Sequence, residues 1–129
     1  MSKTKVHEFH PQIYPRRLWV IKGGLPGDIK DMFSRIDGKE LDIEDEVNDY
    51  DALTYSVMLK DTKKLGELIW FPDETSIEQE QVTHESAHAA MDIFRDIGAD
   101  VDTGNQEPFA YLAGWIADCI DQVKRNKFK

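Results

Sequence analysis

The chain has 129 residues, 40% hydrophobic and 32% charged, with a formal net charge of −9, which suits one globular domain (1–129) able to bury a core without disulfide or metal staples. An acidic balance of that size argues against nucleic acid as a partner, because a phosphate backbone selects clustered Lys and Arg. No apolar run approaches membrane-spanning length and the polar stretch 1–10 has no signal-peptide core, so no membrane association and a cytoplasmic location are expected, in keeping with a lone cysteine, Cys119.

Taken in chain order, His7 and His10 spell His-x-x-His in an extended stretch before Pro11 and read as ordinary surface residues. Segment 14–22 is aromatic and β-branched and is stopped by Gly23 and Gly24, which predicts a strand and a turn. From Pro26 onward Ile29, Met32, Phe33 and Ile36 recur at helical spacing, so a short helix with an apolar core stripe is expected up to the Asp37-Gly38 turn. Segment 41–51 carries Asp42, Glu44, Asp45, Glu46, Asp49 and Asp51 without the glycine or ligand spacing of a calcium loop, and reads as a solvated acidic connector.

In segment 52–60, Leu53, Tyr55, Val57 and Leu59 alternate with Thr54, Ser56, Met58 and Lys60, the pattern of a half-buried strand. A turn over 61–64 joins it to a partner strand over 65–71 that Pro72 ends, giving a hairpin. A long helix is expected from Thr75 or Ser76, capped through Thr75 with Glu78 or Ser76 with Gln79, and closed by Gly98. Val82, Ala89, Met91, Ile93, Phe94 and Ile97 supply its apolar contacts. A last helix, from about Asn105, turns Phe109, Leu112, Ala113, Ile116, Ile120 and Val123 inward, tolerates Pro108 in its first turn, and ends in the basic tail 124–129. Trp19, Trp70 and Trp115 read as core or cleft-wall aromatics.

The long helix contains His84-Glu85-Ser86-Ala87-His88, the spelling HExxH. Residues four apart share a helix face, so both imidazoles can address one metal ion while Glu85, one step round, reaches a water on it. With 4 His in 129 residues, random placement produces this spelling about once in a hundred such chains. Glu107 follows His88 by 19 positions; two His, a distant Glu and an open position for water form a catalytic rather than a structural zinc set. One glycine-capped reversal between them suits two antiparallel helices that bring Glu107 to the His pair. Glu85 is then the general base and later the acid, since zinc lowers the pKa of its water to about 7. Tyr111, four after Glu107, is a candidate donor to an oxyanion and equally a packed aromatic. Asp92, Asn105 and Asp118 are candidate partners for the imidazoles, and each reads as readily as a solvated polar residue.

These residues resemble a zincin, and more narrowly a gluzincin: His84, Glu85, His88 and Glu107, with Ala110 three further on, match the HExxH and ExxA pattern of minimal metallopeptidase domains. The stretch is also similar to short phage and prophage proteins in which a His-Glu helix precedes a Glu-Pro-Phe-Ala-Tyr-Leu helix. The resemblance covers about residues 75–120. It implies an α+β fold with a small antiparallel sheet packed with helices, whose edge strand aligns an extended peptide, with the hairpin 52–71 on the substrate side. It further implies His84, His88 and Glu107 as zinc ligands and Glu85 as base. The chain departs from thermolysin-like enzymes in having Tyr111 where they have an Asp that supports a ligand His, and in lacking a separate C-terminal domain. Two functions follow as expectations: a zinc metallopeptidase acting on a protein or peptide, or a catalytically silent zincin-like binding or regulatory protein, phage-encoded in kind.

Overall fold

The computed structural model describes residues 4–43 and 52–129. Among them the chain forms, in order, β1 (His7–Phe9), β2 (Arg17–Lys22), α1 (Pro26–Met32), β3 (Phe33–Arg35), β4 (Leu53–Leu59), β5 (Leu65–Phe71), α2 (Gln79–Asp96) and α3 (Glu107–Arg125). The strands make a five-stranded sheet ordered β1-β2-β5-β4-β3. The fold is therefore α+β, as the sequence implies, but the sheet is mixed rather than antiparallel: β2 and β5 run parallel, while the other neighbours are antiparallel. The reason is connectivity, because the chain leaves β2 through α1, β3 and β4 and so returns at β5 in its starting direction, a long crossover of the kind parallel pairs require.

Alternation along the strands sends side chains to two cores. Leu18, Val20, Ile69 and Phe71 pack beneath α2 and α3 with Ile93, Ile116 and Ile120. Trp19, Ile21, Leu68 and Trp70 face the other way and pack with Ile29, Phe33, Leu41 and Ile43. Trp19 and Trp70 are thus core, as predicted; Trp115 is only partly buried. The acidic connector predicted over 41–51 lies, from residue 44 onward, outside the described residues. Of its start, Leu41 and Ile43 are buried.

The predicted α1 stripe is corrected. The helix stops at Met32, and Phe33 is instead a strand residue paired with Leu59 and buried against the Trp19 ring at 5.2 Å, while Ile36 is exposed. Helical spacing over eight residues cannot distinguish one more helical turn from a strand that fills the same core. The start of α2 moves too. Asp73 accepts hydrogen bonds from the Thr75 amide at 2.9 Å and from the Thr75 and Ser76 hydroxyls at 2.7 Å each, so neither hydroxyl caps the helix. Glu78 is the N-cap, and its amide donates to the Gln81 side chain at 3.2 Å. Met91, expected to pack, is exposed. The far end is as predicted: Gly98 adopts φ +78°, its amide donates to the Arg95 carbonyl and that of Ala99 to the Phe94 carbonyl, a Schellman closure. α3 starts two residues later than the sequence suggests and is capped by Asn126 in the left-handed region, with Lys124 and Arg125 in its last turn. Among the described residues no helix is long and apolar enough to cross a membrane.

Candidate metal centre

α2 lies over β4 and β5 with α3 beside it. One side of α2 is polar and meets the polar side of β4, because Thr54 and Ser56 alternate with Leu53, Tyr55 and Val57, which belong to the opposite face. His84 and His88, one turn apart, bring their Nε2 atoms to 3.1 Å with ring centroids 4.6 Å apart. Two nitrogens bound to one zinc at about 2.0–2.1 Å each must lie within ~4.2 Å of one another, and this pair meets that condition. His84 is largely exposed, so the pair is open to an incoming ligand.

Glu85 is only 7% exposed. Its Oε1 accepts a 2.7 Å hydrogen bond from the Thr54 hydroxyl, and its Oε2 lies 3.9 Å from the His84 Nε2. One oxygen is anchored to the sheet and the other is left toward the histidines.

Among the described residues, Glu107 and Tyr111 make no hydrogen bond or ion pair with the histidine pair. Both are exposed and line a groove with residues 10–14, Asn105, Pro108, Leu112 and Trp115; His84, Glu85 and His88 do not line it. Among the described residues no three His, Cys, Asp or Glu side chains converge closely enough to hold one metal ion. The structure thus joins His84, His88 and Glu85, while Glu107 and Tyr111 line the groove. The candidate supporting residues are also engaged otherwise: Asp92 pairs with Arg95 at 3.3 Å, Asp118 with Lys129 at 3.0 Å, and Asn105 lies in the groove. His7 stacks on Phe128 and His10 meets Glu8 at 2.8 Å, so these two imidazoles do not pair with each other.

A second polar cluster lies farther along α2, and sequence reasoning missed it. Glu67 of β5 is fully buried, and its Oε2 accepts a 2.6 Å hydrogen bond from Ser56, which also contacts Asp96 at 3.1 Å and Arg95 at 3.1 Å. Burial first, then the neighbouring Asp92 and Asp96 carboxylates, push the Glu67 carboxyl up to about 10. Its Oε1 meets no donor among the described residues, so nothing there stabilises the charged form against burial. The signal was present in the sequence: Glu67 is the charged residue inside the apolar run of β5. Compared with known proteins, the chain matches no family model, no curated protein and no solved structure.

Proposed function

We propose that the chain is a zinc-dependent hydrolase of peptide bonds, zincin-like in its site, with His84 and His88 as metal ligands and Glu85 as general base. The observation that carries this reading is the convergence of the two Nε2 atoms at 3.1 Å beside a carboxylate whose second oxygen is already held by Thr54. A zinc ion there would supply Lewis-acid polarisation of the scissile carbonyl and of an attacking water. Glu85 Oε2 would take the proton from that water and pass it to the leaving amine, while Thr54 keeps Oε1 from turning away. Glu107 is the third ligand of this reading; its carboxylate makes no hydrogen bond or ion pair among the described residues that would hold it away from the metal.

β4 suits an extended substrate. β3 pairs with its residues 57–59, and among the described residues none pairs with 53–56 on that side, next to Glu85. A peptide added along this edge would present its carbonyls beside the base, as strand addition does elsewhere. The reducing cytoplasm is the compartment this reading assigns, and Cys119 is a free, buried thiol. The test is metal content after dialysis against zinc near neutral pH and removal of excess. One zinc per parent chain, lost in a His84→Ala, His88→Ala double variant that stays folded, is the expected result. A parent chain that stays metal-free would end the proposal. The silent binding reading keeps the same metal without turnover, and differs in the fate of Glu85.

A further inference from the structure

Glu107 and Tyr111 line a formed groove whose lining does not include the histidine pair. It encloses about 630 Å³, within the range of about 300–1,000 Å³ found for ligand pockets. One wall is the first three turns of α3, where Glu107, Tyr111 and Trp115 follow one another at intervals of four. The other is the tight bend over residues 10–14, fixed by the Gln12 amide on the His10 carbonyl at 2.9 Å and the Tyr14 amide on the Pro11 carbonyl at 2.7 Å. Behind them, Tyr14 packs on Phe94 at 5.9 Å and Trp115 meets Phe9 edge-on at 6.5 Å. Both walls are therefore tied to the core before any ligand arrives.

Their chemistry selects an occupant. Ile13 is 84% and Tyr111 74% exposed, a large apolar exposure to leave in water at one place. Glu107 is the carboxylate of the wall, among the described residues no Lys or Arg lines it, and the His10 ring is turned to Glu8. Aromatic faces beside an unpaired carboxylate attract a cation carried on an apolar stem, and an arginine fits both. The chain's net charge of −9 adds long-range attraction for a basic segment.

We propose that this groove docks an extended segment of a partner protein in which an arginine is flanked by apolar residues. The guanidinium lies over Tyr111 against Glu107, and the apolar neighbours cover Ile13 and Pro108. The proposal does not depend on a metal at the histidine pair.

Three fluorescein-labelled pentapeptides test it: Ser-Phe-Arg-Leu-Ser and the same sequence with Gln or Glu at the centre, titrated by anisotropy with the full chain. The Arg peptide should saturate and bind about threefold to fivefold more tightly than the Gln peptide, the scale of one exposed ion pair with a cation on a ring, with the Glu peptide weakest. The Arg preference should shrink as salt rises. Glu107→Gln should erase the preference, and Tyr111→Ser should weaken the Arg and Gln peptides alike; both positions are exposed, so both variants keep the fold. No saturable binding to millimolar peptide would overturn the proposal, as would an Arg preference that survives Glu107→Gln while zinc content falls, which would put this carboxylate at the metal. A parent chain that is dimeric in solution and becomes monomeric in Ile13→Asp would also overturn it, by showing a second copy in the groove.

Discussion

Thr54 Oγ1 donates a 2.7 Å hydrogen bond to Glu85 Oε1, and through it the sheet fixes the rotamer of the proposed base on α2. Thr54→Val keeps the shape and removes the donor, leaving a buried carboxylate oxygen without its partner. The variant should lose about 1–3 kcal/mol of stability in urea titration, and Thr54→Ser should recover most of it. Equal stability of Thr54→Val and the parent would show that water already serves Glu85.

Glu67 gives a prediction in pH. The folded chain keeps the proton on this carboxyl up to about 10, whereas the unfolded chain releases it near the ordinary 4.5. Between those values the unfolded state binds fewer protons, so stability falls as pH rises, by up to about 1.4 kcal/mol per pH unit from this group. Glu67→Gln keeps the hydrogen bonds to Ser56 and Asp92 and removes the titration. Thermal midpoints of the two proteins should lie close together near pH 4.5 and separate in favour of the variant toward pH 8. Parallel curves over that range would mean Glu67 is ionised in the fold.

Gly66 marks where β5 and β2 come too close for any side chain. A Cβ there would overlap the Arg17 carbonyl oxygen and stand 2.7 Å from the Trp19 ring, both fixed in the sheet. Gly66→Ala should cost at least the 1–3 kcal/mol or so typical of overpacking, whereas Gly114→Ala, where a Cβ meets nothing within 4 Å, should be neutral or slightly stabilising because it sits inside α3. Chemical denaturation of both variants separates local crowding from a general loss on glycine replacement.

What was legible in the sequence was what local periodicity encodes. The alternation of Leu53, Tyr55 and Val57 against Thr54 and Ser56, the Gly98 closure and the His84-Glu85-His88 face are each written within a few neighbouring residues, and the structure has all three. What failed was long-range. The parallel pairing of β2 with β5 depends on where a crossover returns, and Phe33 joined a strand because Leu59 and Trp19 await it. The spacing from His88 to Glu107 fixes a distance along the chain but not what else Glu107 meets, and in the structure Glu107 and Tyr111 line a groove with the bend over residues 10–14. That bend is a wall the sequence gives no periodic sign of.

The two functional readings part at Glu85. On the proposed reading its Oε2, 3.9 Å from the His84 Nε2, takes a proton from the attacking water rather than binding the metal. Glu85→Gln can still accept the Thr54 hydrogen bond and cannot act as base, so the variant should load zinc as the parent does while losing at least about 10²-fold in hydrolysis rate. Parent and variant are compared in host-cell lysate, with and without a chelator, reading new protein termini by mass spectrometry and zinc content on the same samples. Termini that need both zinc and Glu85 establish the peptidase. Equal zinc loading with no new termini from either protein removes catalysis from the proposal and leaves the histidine pair as a metal site for binding or regulation. If the variant instead fails to load zinc, Glu85 is itself a ligand, and the division of labour between its two oxygens is wrong.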